Sequence, residues 1–194
     1  MVTYDRKTAL VVADVQNDFA DPNGSLYVRG GEAVVPAINE EVSRARREGA
    51  LVVYTLDWHP ADTPHFQKDG GIWPVHCVRN TWGAEFHPGL HVEGDTMHKG
   101  VGGEDGYSGF TVRDPVSGRE SETGLAGMLR ERGIEKVVVV GIATDYCVKD
   151  TAIDASRKGF ATVVLQACVR AVDLKPGDGQ RAFREMRDRG VVVE

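Results

Sequence analysis

Short, wholly apolar runs alternate with helix-period segments along almost the entire sequence, and few architectures accommodate that rhythm. The run Thr8-Ala9-Leu10-Val11-Val12-Ala13 has no polar alternation, so it suits a strand buried on both faces. Leu51 to Leu56, Lys136 to Val140, Thr162 to Leu165 and Val191 to Val193 read the same way, and a short strand is expected around Thr96 to Lys99. Between them fall helical stretches. One opens at Pro36, lines Ile38, Val42 and Ala45 along one stripe, places Arg44, Arg46 and Arg47 in its last turn and stops at Gly49. Others are expected over Gly124 to Arg132, over Cys147 to Lys158 with Gly159 as the stop, and over Gly179 to Arg189 before Gly190. Strands alternating with helices imply right-handed crossovers and a parallel sheet covered on both faces. The expected fold class is therefore α/β: a three-layer, doubly wound, mostly parallel six-stranded sheet. No repeat, low-complexity tract or linker divides the chain, so residues 1–194 are expected to form one domain.

Composition narrows the partners. Lys plus Arg number 23 against 29 Asp plus Glu, a net charge of −6, which disfavours general binding to nucleic acid or an anionic membrane. No apolar run approaches the length of a membrane span, and the first residues lack a secretory signal's apolar core. Three cysteines, an odd number in a chain this size, point to free thiols in a reducing, cytoplasmic compartment.

In a doubly wound sheet, ligands bind beyond the carboxyl ends of the strands, where the strand order reverses. Asp14 follows the first run, Asp57 the second and Lys99 the third, while Cys147 follows the fourth at the start of a helix. Singly, each has an ordinary reading: a cap, a solvated lysine, a small core thiol. Together, a nucleophile, a base and a cation converge on one edge of the sheet. A helix N-terminus would also favour the thiolate of Cys147. A second constellation lies in the long irregular stretch from Asp57 to Gly94. Asp57 and His59 alternate on one side of an extended segment, and His65 and His76 follow; carboxylate plus imidazoles suit Zn²⁺, Fe²⁺ or Mn²⁺. Cys77, next to His76, would point away from that cluster in extended backbone. His87, His91 and His98 have no spacing partners and read as surface residues. Gly100-Val101-Gly102-Gly103 has neither dinucleotide-loop nor P-loop spacing.

The segments Asp14-Val15-Gln16-Asn17-Asp18-Phe19, Asp57-Trp58-His59, Trp73-Pro74-Val75-His76-Cys77, Lys99, Tyr107-Ser108-Gly109-Phe110 and Gly141-Ile142-Ala143-Thr144-Asp145-Tyr146-Cys147-Val148 resemble, in order, the isochorismatase-like cysteine hydrolases, and among them the nicotinamidases. The resemblance implies a catalytic triad of Asp14, Lys99 and Cys147. It implies one divalent metal ion, zinc first, on Asp57, His59, His65 and His76. It further implies a ring pocket walled by Phe19, Trp73 and Tyr107, a cis peptide at Ile142-Ala143, and an oxyanion hole from the amides of Ala143 and Cys147. The implied reaction is deamidation of a small-molecule amide, nicotinamide or pyrazinamide, to acid and ammonia in NAD salvage. Family members are often dimers or larger, so the resemblance admits a homo-oligomer. Two other readings stay open. One is another amidase or ureido hydrolase of the superfamily; the other is a non-catalytic metal-binding or thiol-sensing domain, which turnover with ammonia release would exclude.

Overall fold

The computed structural model describes residues 2–194; Met1 lies outside them. Six strands form one wholly parallel sheet: β1 (Thr8–Ala13), β2 (Leu51–Asp57), β3 (Asp95–Lys99), β6 (Lys136–Ile142), β7 (Ala161–Arg170) and β8 (Val192–Val193). Their order is β3-β2-β1-β6-β7-β8. From the centre the chain winds outward through β2 and β3, then returns to β6 and winds the other way. The reversal between β1 and β6 opens a crevice at their carboxyl ends. β1 and β6 approach closely there. Gly141 has φ +114°, and a Cβ on it would lie 2.1 Å from the Ala13 carbonyl oxygen, so only glycine fits.

Two apolar layers cover the sheet. On one face, α2 (Val35–Arg47) lays Val35, Ile38, Val42 and Ala45 against Leu10, Val12 and Tyr54. On the other, α3 (Leu125–Glu131), α4 (Lys149–Arg157) and α5 (Asp178–Asp188) pack Leu129, Ala152 and Met186 against Val11, Val139 and Val164. All six residues of β1 are buried, as an unalternated apolar run requires. The three-layer, doubly wound α/β expectation holds. No helix is long and apolar enough to cross a membrane.

Several boundaries differ from the sequence reading. β7 continues to Arg170 because its pairing with β6 shifts between Val139 and Gly141, leaving Gln166 and Ala167 exposed inside the strand and breaking the apolar pattern. The expected helix over Cys147 to Lys158 starts late. Residues Thr144–Val148 form a single wide turn, closed by the Val148 amide on the Ala143 carbonyl at 3.0 Å, and the α-helix begins at Lys149. A short helix, α1 (Asn17–Ala20), and an antiparallel hairpin, β4 (Thr111–Arg113) with β5 (Glu120–Glu122), were not anticipated. The hairpin buries neither face, so no period-2 alternation marks it.

Candidate active site

The crevice at the β1/β6 switch gathers the expected side chains. Asp14 leaves β1 in the left-handed region at φ 48° and is fully buried. Thr55 donates its hydroxyl to Asp14 Oδ1 at 2.8 Å. Lys99 is paired in register with Asp57 across β3 and β2. Its ammonium lies 2.8 Å from Asp14 Oδ2, 2.5 Å from Asp57 Oδ1 and 3.8 Å from Cys147 Sγ, and it also donates to the Gly106 carbonyl. Asp14, Lys99 and Cys147 thus meet around one buried cation. The peptide Ile142-Ala143, between the end of β6 and the Cys147 turn, is cis.

Burial and charge set the protonation states. Burial pulls Lys99 toward neutrality, but Asp14 and Asp57 outweigh it and hold the ammonium well above the usual lysine range. Burial raises Asp14 above the ordinary carboxylate range against the pull of Lys99. Burial opposes ionisation of Asp57 too, yet Lys99 and the neighbouring imidazoles keep it below that range. For Cys147, burial pushes the thiol well above its ordinary value, and Lys99 only partly offsets this. Burial thus works against the thiolate that a helix start would favour. Cys147 sits in a wide turn rather than at a helix N-terminus, and loss of solvent decides the outcome. Burial therefore favours the protonated thiol, whose sulfur lies within 4.8 Å of an Asp14 carboxylate oxygen.

The imidazoles of His59, His65 and His76 bring one nitrogen each within 4.8 Å of one another, and all three residues are buried. Asp57 Oδ2 faces them, 3.8 Å from His59 Nε2 and 4.0 Å from His76 Nε2. His76 Nδ1 lies 2.7 Å from the Pro74 carbonyl and His65 Nδ1 lies 2.6 Å from Asp105, which leaves Nε2 of each ring uncommitted. Burial keeps both rings neutral: His65 falls below the usual imidazole range, and His76 falls to about 4. Neither nitrogen of fully buried His59 has a hydrogen-bond partner among the described residues. An orphaned buried donor or acceptor costs about 1–3 kcal/mol, and a cation held by three imidazoles and a carboxylate would remove that cost. The residues present fit a divalent metal.

Backbone geometry protects the cluster. Gly100, at φ +71°, passes so close to His59 that a Cβ would lie 2.6 Å from its Cε1. Gly100→Ala is expected to destabilise the protein by about 1–3 kcal/mol, roughly 2–4 °C in Tm per kcal/mol for a chain of this size. An unchanged melting temperature would reject the close approach.

Phe19, Trp73 and Tyr107 line one pocket together with Cys147. Ala143 lines it too. Tyr146 completes the aromatic wall, its ring 4.9 Å from Trp73 and nearly perpendicular. The sequence reading missed it, although its place beside Cys147 was a usable signal. Gln16 was also missed; its amide clamps Asp57 through that residue's backbone N–H and C=O, at 2.8 Å each. Asp18 accepts the amides of Ser25 and Cys77 at 3.0 and 2.7 Å, tying α1 to the segment that carries His76. Cys77 points into the core, away from the imidazoles, but at φ 45° its backbone is left-handed rather than extended. His91 and His98 are exposed and His87 half-buried, and none joins the cluster.

Residues 8–194 match the isochorismatase domain family. The nicotinamidase/pyrazinamidase of Mycobacterium tuberculosis is 42% identical over 192 residues, covering 94% of this chain and 96% of its own. Among solved structures, the pyrazinamidase of Pyrococcus horikoshii in complex with zinc superposes with a TM-score of 0.86 at 40% identity, covering 97% of this chain and 98% of its own. An L. infantum protein solved with nicotinate gives a TM-score of 0.90 at 39% identity, covering 100% and 95%. The chain belongs to the isochorismatase domain family and groups there with its nicotinamidase and pyrazinamidase members.

Proposed function

We propose that this protein is a metal-dependent cysteine amidohydrolase that converts nicotinamide, and pyrazinamide, to the acid and ammonia. The observation that carries the reading is the buried Asp14–Lys99–Cys147 constellation opening onto an aromatic pocket beside three imidazoles. Identity with nicotinamidases and pyrazinamidases over most of the chain supports the substrate class. We assign the reaction to one domain spanning residues 1–194, in the cytoplasm, as a step of NAD salvage.

Asp57, His59, His65 and His76 would hold the divalent cation, which when bound supplies a Lewis-acid contact for the pyridine nitrogen. Phe19, Trp73 and Tyr107 sandwich the ring and present its carboxamide to Cys147. Asp14, whose proton affinity burial has raised, takes the thiol proton as sulfur attacks the carboxamide carbon. Lys99 stays charged and balances the anionic groups around it. The Ala143 and Cys147 amides take up the developing oxyanion. Collapse returns the proton from Asp14 to nitrogen, the C–N bond breaks, ammonia leaves and a thioester remains. Asp14 then deprotonates a water that attacks the thioester, the C–S bond breaks, and the proton returns to sulfur as the acid forms.

Ammonia release measured across nicotinamide, pyrazinamide and an N-carbamoyl amine tests this reading. Turnover of the two aromatic amides with little of the third is the expected pattern. Preference for the N-carbamoyl compound would move the protein to another amidase class, and no turnover of any would leave only a binding domain.

A further inference from the structure

Three consecutive residues of the loop after β3 each reach a different functional group. Asp105 accepts the His65 Nδ1–H at 2.6 Å. Gly106 accepts from the Lys99 ammonium through its carbonyl, and the Tyr107 hydroxyl accepts the Trp73 indole N–H at 2.7 Å. The loop is fixed from behind by the hairpin that the sequence did not reveal. The Asp105 amide donates to the Arg113 carbonyl at 2.7 Å, and the Arg113 amide returns the bond at 2.9 Å. Arg113 is in turn paired with Glu120 across the hairpin.

A neutral imidazole carries its proton on one nitrogen and its lone pair on the other, and the partner of the first decides where the second points. His76 has only a neutral carbonyl on Nδ1, and His59 has no partner on either nitrogen among the described residues. Within the cluster, a carboxylate on the far nitrogen is particular to His65. The Asp105 side chain is 21% exposed and that of His65 3%, so the contact is largely shielded from water. Such outer carboxylates orient a ligating ring and strengthen it as a donor.

We propose that Asp105, braced by the 111–122 hairpin, is a positioning residue that fixes the tautomer and direction of His65 and so sets the affinity of the histidine cluster for its cation. The proposal rests on the metal-site reading above, and its test separates the two. Zn²⁺ dissociation constants are measured by competition with a chromophoric chelator for the wild type and for Asp105→Ala, Asp105→Asn and Asp105→Glu. The visible spectrum of the Co²⁺-loaded proteins and the melting temperature of each metal-free protein complete the set.

Asp105→Ala is expected to weaken Zn²⁺ binding about 10–100-fold and to shift the Co²⁺ bands, while the metal-free melting temperature stays near that of the wild type. Asp105→Asn, nearly isosteric, keeps an oxygen acceptor without the charge and is expected to fall between; Asp105→Glu should restore part of the affinity. Wild-type Zn²⁺ affinity in both Asp105→Ala and Asp105→Asn overturns the proposal and leaves the metal site standing. A lowered metal-free melting temperature with unchanged affinity also overturns it, because the role is then structural. Failure of the wild type to bind Zn²⁺ rejects the metal site itself, and the proposal with it.

Discussion

Cys147→Ala is expected to lower kcat for nicotinamide on the order of 10⁴–10⁶-fold, about 5–8 kcal/mol of transition-state stabilisation. Metal content and nicotinamide affinity should persist. The Cys147 thiol borders the pocket, 3.8 Å from the Lys99 ammonium and within 4.8 Å of an Asp14 carboxylate oxygen. Removing it leaves Asp14 and Lys99 paired at 2.8 Å, so the site keeps its charge balance and its shape. The loss therefore reads as chemistry rather than collapse, and far-UV circular dichroism alongside the kinetics checks that. Cys168→Ala is the control. Cys168 lies in β7 within the α2-side apolar layer, and burial holds its thiol up at about 11. Its replacement should leave kcat within about twofold. Activity of Cys147→Ala within tenfold of the wild type would reject the covalent route.

What could be read from the sequence was whatever an apolar pattern or a strand end announces. β1 and β6 are unalternated and buried throughout or nearly so, and the residues just past them fall in the crevice by topology alone. Asp14 and Cys147 were legible for that reason, and Lys99 as the end of the short third strand. The imidazoles were legible as a set through their residue types and spacing, and the resemblance implied that they share one metal site. The missed residues act through contacts that leave no local pattern. Asp105 reaches His65 across 40 positions, and Gln16 reaches Asp57 across 41. The hairpin bracing Asp105 fully buries none of its residues, so nothing in its polarity could reveal it. A helix start that would favour a thiolate at Cys147 is visible in a sequence, but the burial that pushes this thiol up depends on the whole fold.

That dependence on packing also decides how the pyridine ring is recognised. His59→Ala is expected to strip the cation, since it removes an imidazole whose two nitrogens are both buried and without a hydrogen-bond partner among the described residues. Nicotinamide and benzamide share the carboxamide and the flat ring and differ at the ring nitrogen. Phe19, Trp73 and Tyr107 would grip either ring equally, because stacking and burial do not sense that atom. Only a group that takes up the nitrogen lone pair can separate the two. A site built around a polar contact rejects the analogue lacking it by up to about 10⁴–10⁵-fold. The wild-type ratio of kcat/KM for nicotinamide over benzamide should therefore be large, and it should collapse toward one in His59→Ala, mostly through loss of nicotinamide turnover. If the cation served only to activate water, both substrates would be processed alike by the wild type and would suffer alike in the variant. A wild-type ratio near one thus rejects recognition through the ring nitrogen while leaving Asp14, Lys99 and Cys147 in their roles. The two effects separate because Asp57 shares its oxygens between the clusters, with Oδ1 on Lys99 and Oδ2 toward His59 and His76. His59 touches the ring-recognition side of that bridge without entering the nucleophile's own hydrogen bonds.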